Sequence, residues 1–386
     1  MAFRDIIGQD RAVNILLRTI QRDRLSSSYL FAGESGIGKK FTAINLAKAV
    51  NCLKTTPSLA LPSVRVDSDP RWPACRPSGR GGVGGVDSEL LNQTDCCDEC
   101  SSCKKIDAGV HPDFLLISPE GGQIRIEEIR AINDILSFKP FEGRNKVVIA
   151  DEADTMNPFA ANAFLKTLEE PPKDSLIILI SSNPDRLPDT IRSRCSKVNF
   201  TPLSHEACRK VIETVRSQKS GVPTTHPSPS RREGKGEGEK NQESKDSKDS
   251  RLSTLVRLSM GRPGLAASGD LIEERAWFIK LLKGMLNAEK DGWTSKEEME
   301  RWFDLLLILF RDMAIIKITQ DETNLINIDF KDYLNKLSSS IDLKVIIENY
   351  QRLNTLKGYF NFNLNRSLTW NYTGSLLRKT MDVKYA

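Results

Sequence analysis

Residues 33–40 read GESGIGKK, directly after the apolar run Tyr29-Leu30-Phe31-Ala32 and directly before the helical stretch 41–50. Gly33, Gly38 and Lys39 fit the phosphate-cradling pattern G-x-x-x-x-G-K-[ST], with Gly36 a further glycine inside the loop. In that pattern backbone N–H groups and the lysine hold phosphates, and the hydroxyl that follows the lysine ligates Mg²⁺. Here Lys40 stands where the hydroxyl belongs. An ammonium has donors only, so it cannot ligate a metal. A tight βα turn would also ask for glycine, but the strand–loop–helix context favours phosphate-binding ancestry. Whether nucleotide still binds stays open. The pattern predicts a nucleotide-binding fold with a disabled hydrolytic site, in a subunit that works through partners.

Outward from the loop, strand-length apolar runs recur at 114–117 (FLLI), 147–150 (VVIA) and 176–180 (LIILI), with 197–200 (KVNF) a weaker fifth. Runs apolar on both faces, separated by helical stretches, predict an α/β fold with a buried parallel sheet and crossover helices. The helix from Phe159 to Glu170 stops at Pro171-Pro172. From about residue 270 strands give way to helical periods, which predicts a separate all-helical domain with Trp277, Trp302 and Trp370 in its core. Two segments lack a core pattern: 54–95, rich in Pro and Gly, and 217–250, with one valine as its sole large apolar side chain. Both are expected to be inserted, mostly disordered loops.

Bulk composition narrows the class. A chain of 386 residues is expected to hold two or three domains. Hydrophobic content of 39% and charged content of 28% are ordinary for soluble protein, and no apolar run reaches membrane length. The first residues, MAFRDIIGQD, carry charge where a signal peptide needs its apolar region, so a cytoplasmic protein is expected. The net charge of +5 reads as scattered surface charge more readily than as a nucleic-acid footprint.

Several polar groups stand at strand ends. Asp151-Glu152-Ala153-Asp154 follows 147–150. The first acid at such a strand end supports Mg²⁺ and the second polarises water, roles that fit Asp151 and Glu152; an acidic helix start is the plainer reading. Ser182, after 176–180, is placed to sense a γ-phosphate or simply to cap the strand. Arg194, in Ser193-Arg194-Cys195, could serve a neighbour's nucleotide, although by spacing alone a surface salt bridge is the better reading.

The eight cysteines include Cys97, Cys100 and Cys103 at C-x₂-C-x₂-C spacing. Three thiolates so spaced wrap one tetrahedral ion, with Zn²⁺ the default metal and a fourth ligand needed from Cys52, Cys75, Cys96 or His111. A reactive redox site is the weaker alternative.

The string Asp5-Ile6-Ile7-Gly8-Gln9, the glycine loop, the Cys cluster, Gly109-Val110-His111-Pro112-Asp113, the run 162–172 (NAFLKTLEEPP) and Ile191-Arg192-Ser193-Arg194-Cys195 together resemble the bacterial clamp-loader AAA+ subunits of DNA polymerase III. The resemblance covers 1–203 apart from the insertion and continues weakly through Gly261-Arg262-Pro263-Gly264 and Asn363-Leu364-Asn365-Arg366. It implies a RecA-like AAA+ domain over 1–203 with a zinc module at 52–103, a small helical lid over 204–268, and a helical collar for oligomerisation over 269–386. It implies Cys52, Cys97, Cys100 and Cys103 as zinc ligands, with the insertion lying inside the zinc module. The family has gamma/tau motors, which hydrolyse ATP, and delta-prime stators, which do not. Lys40 favours the stator, as does Gly264 where a motor places an arginine on the γ-phosphate; the intact acids at 151 and 152 point the other way. The implied partners are gamma/tau and delta subunits, with the sliding clamp and primed DNA reached through the complex, and no membrane. Arg194 becomes the finger offered to a neighbouring ATP. The chain is then a subunit of a DNA-directed polymerase holoenzyme with no catalysis of its own. A zinc-dependent nucleic-acid-binding module with a vestigial loop is the reading from another class.

Overall fold

The computed structural model describes residues 2–54, 91, 94–119, 121–220, 252–268, 270–289, 292–319, 324–362 and 364–381. The chain divides into two compact units, Met1–Lys210 and Val211–Ala386.

The first unit is built on five parallel strands: β1 (Ser28–Ala32), β2 (Phe114–Ile117), β3 (Lys146–Ala150), β4 (Ser175–Ser181) and β5 (Ser196–Asn199), in the order β2-β3-β4-β1-β5. Every residue of β1, β3 and β4 is buried, which is why these strands read as unbroken apolar runs. Edge strand β5 buries Val198 alone, hence its weak pattern. Helices α1 (Asp10–Gln21), α2 (Lys39–Asn51) and α3 (Ser101–Asp107) precede β2; α4 (Ile126–Ser137), α5 (Pro158–Glu169) and α6 (Asp189–Arg192) connect the later strands, and α7 (His205–Ser220) follows β5. The step from β1 to β2 runs across the sheet in one direction, and the steps through β3, β4 and β5 return in the other. With right-handed crossovers the helices then fall on both faces. Accordingly α1 packs with α2, and α4 packs with α5. Alternate strand residues Leu30, Val148, Ile177 and Leu179 meet Ile129, Ile132, Phe164 and Leu168 in one core layer. The reversal of direction places a cleft at the C-terminal end of β1, where this class of sheet binds ligands.

Local signals set the helix ends. Asn157 caps α5 by accepting the Ala160 N–H at 2.8 Å, with Pro158 at the first helical position. Helix α7 runs to Ser220, so residues 217–220 continue a helix where composition had begun an insertion. Residues 221–250 lie outside the described residues, as does most of 54–95, including Cys75. Thr94 and Asp95, also assigned to an insertion, are buried. Asp95 accepts N–H bonds from Phe3 (2.8 Å), Arg4 (3.1 Å) and Cys96 (2.8 Å). A carboxylate that collects buried N–H groups cannot be recognised from composition, because its donors are remote in sequence.

The described part of the second unit, beyond the end of α7, is helical, including Asp270–Leu286, Lys296–Thr319, Leu343–Gly358 and Arg366–Met381. Its core centres on Trp302, Trp293 and Trp370, with the Trp293 ring edge-on to Trp302 at 5.4 Å and to Trp370 at 4.9 Å. Trp277 packs against this core, partly buried. Fully buried Asp312 accepts the N–H groups of Ile326 (3.0 Å) and Asn327 (2.7 Å), which offsets its desolvation.

Gly33, at the end of β1, is held against the end of β5. A Cβ there would lie 2.5 Å from the Phe200 carbonyl oxygen, and φ is +150°. Gly38 (φ +99°) has open space around it. Gly33→Ala is expected to destabilise the first unit by about 2 kcal/mol or more, and Gly38→Ala by about 1 kcal/mol. Thermal melts of the two variants check the order.

Candidate functional site

The cleft at the tip of β1 is shaped by three glycines with positive φ: Gly33 (150°), Gly36 (79°) and Gly38 (99°). Gly38 caps α2 from the left-handed region, so the loop turns straight into a helix N-terminus. The first N–H groups of such a helix have no intrahelical acceptors and attract anions. Lys39 is folded back over the loop: its Nζ donates to the carbonyls of Gly33 (2.5 Å) and Glu34 (2.6 Å). Burial lowers the Lys39 pKa, and Asp151, Asp154 and Glu34 oppose that shift. Gln9 ties the loop to the end of β5, donating to Ile37 O (3.2 Å) and Thr201 O (2.7 Å). Nothing local to Gln9 in the sequence signals this role, since its partners lie far along the chain.

Lys40 reaches across the cleft. Its Nζ stands 3.1 Å from Asp151 Oδ2 at the tip of β3. The two side chains are 44% and 19% exposed, so the pair lies at the cleft mouth and is partly screened. Glu152 adopts the left-handed region (φ 48°) with its side chain exposed, and its N–H donates to Asp151 Oδ1 at 3.0 Å. The acids open a short 3₁₀ turn, Ala153–Thr155. Ser182 is exposed and bound to Asp154, through its N–H at 3.1 Å and its hydroxyl at 3.4 Å. Ser181, one residue earlier, is fully buried; its carbonyl accepts the Gly33 N–H at 3.3 Å, and its hydroxyl has no partner among the described residues. The structure therefore brings Gly33, Gly36, Gly38, Lys39, Lys40 and Asp151 together at the C-terminal tips of β1 and β3.

The far end of α2 enters a thiol cluster. The sulfurs of Cys52, Cys97, Cys100 and Cys103 all lie within 4.8 Å of one another, close enough to share one tetrahedral ion. Cys97 Sγ accepts the Cys100 N–H (3.3 Å) and Cys100 Sγ accepts the Cys103 N–H (3.5 Å), bonds that fold the C-x₂-C-x₂-C segment around a centre. Of the other fourth-ligand candidates, His111 accepts the Asp113 N–H at 3.1 Å and meets the Ser102 hydroxyl at 3.2 Å. Cys96 is buried beside the cluster, with its thiol 3.5 Å from Asp98 Oδ1. Burial pushes the Cys97 thiol up, to about 11. The Cys96 thiol, and then burial, push Cys103 up as well. Metal binding at such thiols releases protons, so retention should weaken as pH falls.

Lys48 fastens this cluster to α2. Its ammonium is buried and bonded to Asp98 in the cysteine turn and to Asp107 at 2.9 Å. Burial acts to lower the Lys48 pKa, but the two carboxylates overcome it and raise it. Asp113 has a structural role: it accepts N–H groups from Phe141 (2.8 Å), Glu142 (2.7 Å) and Gly143 (2.7 Å). Burial opposes its ionisation, and these bonds hold its pKa below the usual range.

Among the described residues, Arg194 makes its hydrogen bonds and ion pair with Thr190, Ser193 and Glu169, none of them in the glycine loop. Its guanidinium pairs with Glu169 Oε1 at 2.6 Å and donates to Thr190 O at 2.7 Å, with the side chain 34% exposed. Here it makes the surface salt bridge that spacing favoured.

Residues 8–64 and 87–204 match the protein family described as DNA polymerase III, delta subunit. The gap in that match falls inside the segment 54–95 read as an insertion. The chain is 30% identical over 328 residues to DNA polymerase III subunit delta' of Bacillus subtilis (strain 168), covering 81% of this chain and 79% of that protein. It belongs to the delta' family of DNA polymerase III subunits. Identity to subunit tau of the same organism is 32% over 205 residues, 53% of this chain and 30% of that protein. Identity to subunit gamma of Buchnera aphidicola subsp. Acyrthosiphon pisum is 30% over 218 residues, 56% of this chain and half of that one. The matched residues of this delta' family member include both the glycine loop and the thiol cluster.

Four convergent thiolates predict about one tightly held metal ion per chain on elemental analysis of protein purified without added metal. Cys52→Ser should lower that content sharply, and Cys96→Ser should leave it near one. A stably folded, metal-free wild-type chain contradicts the assignment.

Proposed function

We propose that this chain is the non-hydrolysing stator of a DNA polymerase III clamp loader. The observation that carries the reading is the Lys40 ammonium on Asp151. The acid that would support Mg²⁺ is engaged by a fixed cation, and the hydroxyl ligand is replaced. The delta' relationship supports the same reading. In this role the subunit assembles with gamma/tau and delta subunits in the cytoplasm, and the complex opens a sliding clamp and places it on primed DNA. Residues 1–203 form the AAA+ domain, 204–268 the lid and 269–386 the oligomerising collar. The four cysteines hold a structural Zn²⁺, whose chemistry is to lock the module against α2.

Arg194 is the group offered to a neighbour. To act there its guanidinium exchanges Glu169 for the charge developing on a γ-phosphoryl group, at a cost kept low by the screening of that exposed pair. Trans-acting arginines contribute roughly 10³–10⁵ in kcat in GTPases. A smaller effect is expected here, because one finger serves one of several sites.

The purified chain should show no ATP turnover; robust hydrolysis makes it a gamma/tau-type motor instead. In a reconstituted loader, Arg194→Ala should preserve assembly and lower DNA-stimulated ATPase and clamp loading. Arg194→Lys should rescue poorly, because a point charge lacks the planar fork. Loading at the wild-type rate by the alanine variant removes Arg194 from the site.

A further inference from the structure

The thiol cluster has two unlike sides. Cys52 and Cys103 are fully buried, whereas Cys97 and Cys100 are partly exposed. On the closed side the buried Ala2 packs with Cys52, Cys96 and Cys103, and the next residue, Phe3, is fully buried. The segment Ala2–Asp5 is therefore part of the wall on that side, although it lies far from the cysteine turn in sequence. It is closed into a turn by the Ala2 N–H, which donates to Asp5 Oδ2 at 2.7 Å.

One buried carboxylate clasps this turn to the cysteines. Asp95 Oδ1 accepts the Phe3 and Cys96 N–H groups, both at 2.8 Å. Asp95 Oδ2 accepts the backbone N–H and the Nε–H of Arg4, both at 3.1 Å. These donors offset the desolvation of the carboxylate. Arg4 Nη2 goes on to donate to the Cys96 carbonyl at 3.1 Å. The peptide groups on both sides of Cys96 are thus held, one residue before the first thiol of the C-x₂-C-x₂-C run.

We infer that Asp95 and Arg4 are positioning residues of the four-thiol metal centre: they hold Ala2–Asp5 as a wall beside Cys52 and Cys103 and so set how fast the metal exchanges. The inference rests on the four-thiol reading and adds to it the groups that govern exchange. A closed four-coordinate site gives up its ion when a competing ligand gains access to it. With the wall in place, the partly exposed Cys97 and Cys100 are the way in. Releasing the clasp opens the second side and frees the main chain that orients Cys97. Groups that orient metal ligands are typically worth about 10–100-fold in affinity.

The test is the rate of Zn²⁺ release from the full-length chain to the chromophoric chelator 4-(2-pyridylazo)resorcinol. Zinc content, melting temperature and the thiolate-to-metal absorption of the Co²⁺-substituted chain are measured beside it. Asp95→Asn and Arg4→Ala should each keep about one equivalent of metal and the four-thiolate Co²⁺ spectrum. Both should release Zn²⁺ faster, by about tenfold or more for Asp95→Asn and by less for Arg4→Ala. Arg4→Lys, which keeps the charge beside Asp95, should fall between Arg4→Ala and the wild type. Lys105→Ala removes an equal charge from α3, where Lys105 pairs with Glu142 at 2.6 Å, and should release at the wild-type rate. If Asp95→Asn does not fold, Arg4→Ala decides alone, since that side chain is 60% exposed. Wild-type rates in the Asp95 and Arg4 variants overturn the inference. So does release that tracks a lowered melting temperature in every variant, Lys105→Ala included. A wild-type chain that holds no metal overturns the four-thiol reading and this inference together. Wild-type retention with unmoved variant rates overturns this inference alone.

Discussion

The ion pair between Lys40 and Asp151, 3.1 Å across the cleft, decides what the glycine loop can do. It joins the start of α2 to the tip of β3, the two elements that a phosphate-bound metal would otherwise bridge. A hydroxyl at position 40 would be a metal ligand; an ammonium is a competitor for the metal's place. Gly33, Gly36 and Gly38 take positive φ, and Gly33 has no room for a side chain beside Phe200. The glycine geometry of a phosphate cradle and the Lys40–Asp151 pair therefore stand side by side in this loop.

Helix α2 also ties the cleft to the thiol cluster. It begins at Lys39, buries Lys48 in its last turn, and ends where Asn51 binds Arg144 and Asn145 and Cys52 joins the cysteines. At 1.5 Å per residue the helix spans about 20 Å. Lys48 is the hinge of this arrangement: removing Asp98 from its ammonium would leave a buried charge with less compensation. Since Asp98 sits within the cysteine turn, the order of the cluster and the seating of α2 depend on each other. A metal ion held by the four thiols would act at the far end of the helix that carries the glycine loop.

Much of this was legible in sequence where the signal is local. β1, β3 and β4 are buried on both faces, so their apolar runs announced them; β5 buries one side chain and was correspondingly faint. The glycine loop and the C-x₂-C-x₂-C spacing are contiguous motifs. What stayed hidden depends on partners far apart in the chain. Gln9 bonds Thr201, Asp95 gathers the N-terminal N–H groups, and Lys48 waits on Asp98 and Asp107. The same holds for Lys40: its identity raised the question, but only the fold placed Asp151 against it. Ser182, read as the polar group at the strand tip, stands exposed there on Asp154, a partner 28 residues earlier that sequence does not announce.

The claim that Lys40 occupies the metal's place is most directly tested by electron paramagnetic resonance with Mn²⁺ as the probe. The purified chain is titrated with Mn²⁺ in the presence of ADP, with the nucleotide alone as the reference. The account predicts that wild-type protein immobilises no Mn²⁺ beyond that reference, and that Lys40→Thr acquires a protein-bound, nucleotide-dependent signal. One equivalent of nucleotide-dependent Mn²⁺ on the wild-type chain would contradict it.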